Sequence, residues 1–416
     1  MVAAVLQRRM AWTVTLVATL TMTVSYIDRQ TLSVLAPAVT KALDIDNETY
    51  GWLGSAFAFA YLFGTPVAGW WIDRVGARRG LVASVLAWSA VAALHALVPG
   101  FGVLLGLRLL LGLTEGPGFP GAVQTIQRVL PPDARERGFG ILFTGSSVGA
   151  MLVPLLALLI YRHAGWRVAF LLTSAAGLLW IPVWIWVTRS RAVRERLDSA
   201  TAAAAPNEPR LGLGELLRHP VILRALCGVI AAAPVFNFSQ AWGAKYLVRT
   251  FGLEQGDLGS YLVVPPLLFD LGAIFFGDRA SRQRRPEGVP PRGLFAIGIV
   301  LALALGALPL AATPWQSIWI IGIAMGGSGA LYTLITSDLL GRMPAGSVSF
   351  AGGVMACAQS LALIISGPLI GRAVDKLGNY DAVGVLLAVW VVPGSLIWLL
   401  WRPPVRFETR TTRALG

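Results

Sequence analysis

Residues Met10–Thr40 read MAWTVTLVATLTMTVSYIDRQTLSVLAPAVT. An uncharged run from Met10 to Ser25 and a second from Gln30 to Thr40 are interrupted only by Tyr26-Ile27-Asp28-Arg29. Such a stretch is long enough to cross a hydrocarbon core of about 30 Å as a helix. An acid or a base at that depth costs about 2.5–3.5 kcal/mol on insertion scales, so a chain that keeps both uses them on something polar that crosses the bilayer. Arg8 and Arg9 ahead of the run resemble the start of a secretory signal. The run continues too far for that, and reads as an uncleaved first helix.

Runs of the same kind recur along the chain, near 10–38, 50–70, 80–98, 101–126, 139–161, 167–187, 221–248, 258–277, 293–312, 315–340, 350–372 and 382–401. The composition agrees: 56% hydrophobic and 13% charged over 416 residues, where a soluble domain carries about 25% charged residues. The expected fold is an all-α integral membrane protein of twelve transmembrane helices. A β-barrel is excluded, because its strands alternate apolar and polar residues over only about ten positions.

The formal charge of +13 is not a nucleic-acid footprint, because it follows loop side. Arginines gather at the termini and in alternate loops, as at Arg74, Arg78 and Arg79, at Arg128, Arg135 and Arg137, and from Arg189 through Arg218. The loops between, such as Lys41–Tyr50 and Asp375–Asp381, are acidic or nearly neutral. The bias places both termini and the central loop in the cytoplasm. Cys227 and Cys357 lie inside apolar runs and His95, His163 and His219 are scattered, so neither a disulfide framework nor a metal site is expected. Trp70, Trp71, Trp166, Trp315 and Trp401 fall near span ends and read as an interfacial belt.

The segment 188–220 breaks the apolar pattern with clustered arginines and Ala-Pro-Asn-Glu-Pro, and divides the chain into six-span halves at 1–187 and 221–402, with a cytoplasmic tail at 403–416. Landmarks recur across it. Asp73–Arg79 returns as Asp278–Arg285, and Pro131 returns as Pro344. Weak duplication of this kind is expected of transporters built from parallel halves, with the substrate near the midplane between them.

Between the second and third spans stands Gly69-Trp-Trp-Ile-Asp73-Arg74-Val-Gly76-Ala-Arg78-Arg79. Gly69 is expected to let two helices approach closely, Gly76 to permit a tight turn, and Asp73 to meet arginines or a helix N-terminus. The pattern resembles the signature loop of the major facilitator superfamily. The second copy, Gly277-Asp278-Arg279, keeps the acid and base but lacks the later glycine. The resemblance implies that Gly69, Asp73, Arg74, Arg78, Arg79 and Asp278 belong to a gating latch. Arg108 is grouped with them. Asp73 is the telling member, since an acid adds nothing to a topological signal.

In the fourth span Arg108, Gly112 and Glu115 are spaced four and three apart and share one helix face. Gly116-Pro117-Gly118-Phe119-Pro120 follows and distorts the backbone, a device of transporter midplane sites. An acid at Glu115 then suits reversible protonation, and a permanent ion pair with Arg108 or another buried arginine is the alternative. Asp28 and Arg29, as helix neighbours, do not face each other and need separate partners. Asp338 and Arg342 read as a local i, i+4 pair, and Asp270 as a partner for a neighbouring arginine.

Together Tyr26-Ile-Asp28-Arg29-Gln-Thr-Leu-Ser-Val, Ser55-Ala-Phe-Ala-Phe-Ala-Tyr61, Gly112-Leu-Thr-Glu115 and Gly145-Ser146-Ser147-Val-Gly149-Ala resemble one branch of that superfamily. The branch is the anion:cation symporters, closest to the bacterial hexuronate and galactonate transporters and more distantly similar to the vesicular glutamate transporters and sialin. The resemblance implies that Arg29 holds a substrate carboxylate, a task suited to its planar fork. It further implies that Asp28 and Glu115 carry protons, that Tyr26 and Tyr61 line the cavity, and that Ser146 is a polar contact. In the second half Asn237, Gln240, Thr333, Thr336, Gln359 and Ser360 are the matching polar residues in apolar helices. Where relatives offer amides in the eleventh span, this chain has Ala356, Cys357, Gln359 and Ser360, a departure that bears on hydroxyl recognition.

The expected function is proton-coupled import of a small carboxylate-bearing organic anion, such as a sugar acid, by alternating access. The expected setting is a bacterial inner membrane, with a monomer embedded in the lipid bilayer and protons as the coupling ion in place of any cofactor. An exporter or exchanger of the same fold and a carboxylate-sensing membrane receptor are the rivals. An enzyme is not expected, since no nucleophile–base constellation appears.

Overall fold

The computed structural model describes residues 2–198, 218–283, 289–342 and 348–403. The centre of the expected linker, the tail from 404 onward, Arg285 and Pro344 lie outside the described residues. Every regular element that is described is a helix. Among the described residues nine helices are long and apolar enough to cross a membrane. The longest element, α7 (Pro132–Val187), divides into two spans at Gly165, whose φ of 79° breaks the helix. With α3 (Asn47–Val75) and the pair α5 (Phe101–Glu115) and α6 (Gly118–Val129), the set matches the twelve expected spans.

The chain packs as two compact units. The first comprises the described parts of Met1–Ala204 together with Ala241–Val263; the second comprises those of Ala205–Gln240 and Val264–Gly416. Ala241–Val263 thus packs with the first unit, although it follows the linker in sequence.

In the first unit, α1 (Val2–Val34), which the short α2 (Ala36–Ala42) follows, lies along α7. Lipid tails are as apolar as leucine, so helices associate in a bilayer through close packing and interhelical hydrogen bonds. Gly145 and Gly149 supply the closeness. A Cβ on Gly145 would stand 2.6 Å from the Thr19 carbonyl oxygen, and one on Gly149 would stand 2.5 Å from that of Thr23. Polar side chains complete the seam: the Thr23 hydroxyl donates to the Gly145 carbonyl at 2.9 Å, and the Trp180 indole donates to that of Val17 at 2.8 Å. Trp88 and Trp184 are fully buried in the same core, so these two serve packing and not an interfacial belt. Trp70 and Trp315, by contrast, are about half exposed.

The stretch read as a loop between the second and third spans is almost wholly helical. α3 runs to Val75 and α4 (Ala77–Leu94) begins two residues later, with Gly76 alone between them at φ 89°. A side chain at that φ is strained, and a Cβ there would lie 2.8 Å from the Asp198 Cα. Asp198 ends α8 (Arg191–Asp198), the described helical start of the expected linker. Gly69 does not serve close approach as expected, because a Cβ on it meets no atom within 4 Å.

In the second unit α9 (Pro220–Asn237) packs on α13 (Pro314–Arg342), α14 (Val348–Leu377) and α15 (Asp381–Leu400). α11 (Gly259–Arg282) and α12 (Arg292–Leu303) complete the described long helices. A π-helical turn, Phe238–Trp242, follows α9 and leads into α10 (Gly243–Phe251) of the first unit.

Candidate functional site

Ser25 and Arg29 are one helical turn apart on α1, and Phe57 and Tyr61 are one turn apart on α3. Glu115 is the last residue of α5, where Gly116 and Pro117 interrupt the fourth span before α6. Gly112, three residues before Glu115, lets α5 meet α3 at the Phe57 carbonyl, a contact no side chain would permit. Backbone proximity therefore brings these three helices to one point.

At that point Arg29 donates from Nη2 to Glu115 Oε2 at 2.9 Å and from Nε at 3.3 Å. The Ser25 hydroxyl donates to the same oxygen at 2.8 Å. Three rings surround the guanidinium, with centroids 4.8 Å away at Tyr26, 4.6 Å at Phe57 and 4.9 Å at Tyr61. Phe57 and Tyr61 stack on each other at 5.8 Å. The Glu115 side chain has no exposure, whereas that of Arg29 is 20% exposed. The pair is thus a buried acid capped by a base that retains an open side. Glu115 Oε1 is buried without a hydrogen bond.

Asp28 takes no part in this ion pair, although the Glu115 charge bears on it. It is buried beside the Trp88 indole, and neither carboxylate oxygen nor the indole nitrogen completes a hydrogen bond. A buried carboxylate lacking a partner is costly, and a bound proton removes the charge. Arg108 joins the aromatic wall. Its guanidinium lies 4.9 Å from the Phe57 centroid, on which Arg29 also stacks, and Nε reaches the Leu53 carbonyl at 3.5 Å. Arg108 Nη1 is buried with no partner. Glu115 therefore pairs with Arg29, while Arg108 contributes its charge nearby.

The other gating candidates form a separate group. Asp73 accepts from Gln124 Nε2 at 2.7 Å. Arg78 donates to the Thr188 hydroxyl at 3.1 Å, and Arg78 and Arg79 approach Asp198 at 3.8 and 3.7 Å. Arg128 donates to the Arg196 and Leu197 carbonyls at the end of α8, and Arg74 stacks on Trp70 at 3.8 Å. Arg78, Arg79 and Arg128 thus tie α8 to the ends of α4 and α6. Asp278 in the second unit makes an exposed i, i+4 pair with Arg282 at 2.9 Å.

Of the remaining candidates, Ser146 is half-buried beside the Gly145 contact with α1. Within the second unit Asn237 donates to the Ser366 hydroxyl at 2.9 Å, and the Tyr332 hydroxyl donates to Gln359 at 3.4 Å. Thr336 turns its hydroxyl to the Tyr332 carbonyl of its own helix. Thr333 lies near Gly277, and Gln240 and Ser360 are half-buried. Sequence reasoning missed Ser25 and Phe57 as partners of Arg29, although their i, i+4 spacing to Arg29 and Tyr61 was the available signal. It also missed Arg224, which reaches Asp338 at 2.9 Å beside the expected Asp338–Arg342 pair.

Residues 18–367 match the family model of the Major Facilitator Superfamily. The chain is 25% identical to the hexuronate transporter of Escherichia coli K12 over 93% of its own length and 92% of that protein. It is 24% identical to the D-galactonate transporter of Escherichia coli O6:H1, over 92% and 93% of the two chains. Its fold is similar to that of a bacterial homolog to the human lysosomal transporter Spinster, solved inward-facing and unoccupied. The TM-score is 0.78 at 19% identity, covering 94% of this chain and 96% of that one. A match over most of the length, with a corresponding all-helical fold, places this chain in the major facilitator superfamily.

Proposed function

We propose that this protein is a proton-coupled importer of a small carboxylate-bearing organic anion, of which sugar acids are the leading class. The observation that carries the reading is the Arg29–Glu115 pair: a wholly buried carboxylate held by a guanidinium with an open face inside an aromatic cage. Protonation of Glu115 weakens its hold on Arg29. A substrate carboxylate then takes the vacated fork, which matches it in a bidentate manner. Asp28, buried without a hydrogen-bond partner, is the second proton carrier. The hexuronate and galactonate transporters among the relatives support a sugar acid as cargo.

Coupling has an energetic reason. An inward-negative potential opposes anion entry by about 2.3 kcal/mol per charge per 100 mV, and one co-transported proton removes that opposition for a monoanion. The arginine-rich loop ends support a bacterial inner-membrane topology with both termini cytoplasmic. The Asp73 and Asp198 contacts latch that face, and the halves 1–187 and 221–402 alternate access to Arg29.

The test is uptake of labelled glucuronate and galactonate into proteoliposomes under an imposed pH gradient. Faster uptake with acid outside is expected. Uptake of every tested carboxylate that ignores the gradient overturns the symport reading, and counterflow in preloaded vesicles separates import from exchange.

A further inference from the structure

Ser25 belongs neither to the guanidinium fork nor to the aromatic cage, yet its side chain is spent on Glu115. It is 3% exposed on α1, and its hydroxyl donates to Glu115 Oε2 at 2.8 Å. A helical serine or threonine has an acceptor closer to hand, the carbonyl four residues before it. Thr15, Thr19 and Thr31 on the same helix make that choice, donating to the carbonyls of Ala11, Thr15 and Ile27 at 2.9, 3.0 and 2.7 Å. Ser25 instead reaches across to the end of α5, and the Thr21 carbonyl one turn back is its alternative acceptor.

The two oxygens of Glu115 are used unevenly. Oε2 accepts from Ser25 and from both Nη2 and Nε of Arg29, whereas Oε1 is buried with no hydrogen bond. A proton added at Oε1 displaces no donor. The donors on Oε2 all favour the charged form of the acid. Arg29 leaves that balance when its fork takes an anion; Ser25 carries no charge to exchange and stays. The charged and titratable groups around Glu115 are Asp28 and Arg29 on α1, with Tyr26 over the guanidinium, then Tyr61 on α3 and Arg108 on α5. Ser25 is thus the uncharged donor in a ring of charged and phenolic groups, able to tune the acid without taking part in the ion exchange.

On the footing of the proposed function, in which Glu115 is a proton carrier, we infer that Ser25 is the positioning residue that sets the pH at which Glu115 takes up its proton. Its hydroxyl holds Oε2 while the acid is charged. An O–H bond forms at Oε1 with a proton from water, the Arg29 bonds weaken, and the hydroxyl is free to turn to the Thr21 carbonyl. A hydrogen bond to a carboxylate is stronger than one to the neutral acid, so removing the hydroxyl favours protonation.

Infrared pH titration of the purified full chain, with no substrate added, reads the protonated-carboxyl band that Glu115→Gln lacks. The midpoint of that band is expected to rise by about one pH unit in Ser25→Ala. In Ser25→Cys, whose thiol is a weaker donor, a smaller rise is expected. An unchanged or lowered midpoint in Ser25→Ala overturns the role of Ser25 and leaves the transport reading standing. If no band that depends on Glu115 titrates in the natural protein, Glu115 is not the proton carrier, and this inference falls with that part of the proposed function. Should Ser25→Ala fail to fold, Ser25→Cys decides under the same criterion.

Discussion

Arg29 and Glu115, 86 positions apart in sequence, meet at 2.9 Å with the acid sealed and the base open on one side. That asymmetry orders the events available to the pair. Under the proposed symport, protonating Glu115 frees Arg29 and an anion on Arg29 frees Glu115, so loading one favours loading the other.

Arg29→Lys keeps the charge but loses the fork and most of the ring stacking at Tyr26, Phe57 and Tyr61. Glucuronate or galactonate affinity is expected to fall about ten- to a hundredfold, the value of one charge-assisted hydrogen bond. Isothermal titration of the purified protein measures it, and natural affinity in the variant removes Arg29 from the binding role.

Glu115→Gln holds the shape of the site, preserves an acceptor for Ser25 and cannot exchange a proton. Counterflow of the anion is expected to persist while the response of uptake to a pH gradient disappears. A full gradient response would assign the coupling to Asp28 alone.

Gly149→Val forces a side chain against the Thr23 carbonyl, where even a Cβ stands at 2.5 Å. Overpacking of this kind costs about 1–3 kcal/mol, and the loss of thermal stability in detergent reads it. Gly69→Ala, whose Cβ meets no neighbour within 4 Å, is the control and is expected to leave the unfolding midpoint unlowered.

Asp338→Asn leaves Arg224 and Arg342 buried beside a neutral amide, at a cost of about 3–5 kcal/mol. Pairing it with Arg224→Met removes one stranded cation, so the double variant is expected to unfold at a higher temperature than the single. A double variant no better than Asp338→Asn would show that the two residues are not coupled.

Asp46, in the loop before α3, accepts the Thr49 backbone N–H at 2.7 Å and caps that helix. The bonds from Thr49 hold its carboxyl below the usual carboxylate range. A lowered folded-state value means that the stabilisation is fully present above the unfolded value of about 3.9 and fades as pH falls through the folded one. The gap in stability between the natural protein and Asp46→Ala is expected to be about 1 kcal/mol near neutral pH and to close in strong acid. Unfolding midpoints across that range measure it.

The membrane class, the helical spans and the family were legible in the chain itself. Bilayer thickness and the cost of buried charge act on composition and spacing, which a linear string displays in full. Arg29, Glu115, Tyr26 and Tyr61 could be nominated for the same reason, each an expensive or amphipathic residue in an apolar run. Their partners could not. Ser25 and Phe57 look ordinary until α1, α3 and α5 converge, and Glu115 had two arginines to choose between, with Arg108 the nearer in sequence. Tertiary packing chose Arg29, because Gly112 lets α5 close on α3 at Phe57 and leaves Arg108 on the aromatic wall. The same holds at the other sites. Gly69 and Gly76 are alike as letters, yet only Gly76 faces a neighbour that a side chain would strike. Asp338 and Arg342 announce a helical pair by spacing, whereas Arg224 arrives from a helix more than a hundred residues away. The sequence determined which residues pay to be in the membrane; the contacts between helices decided which of them meet, since close approach is a property of backbones in space.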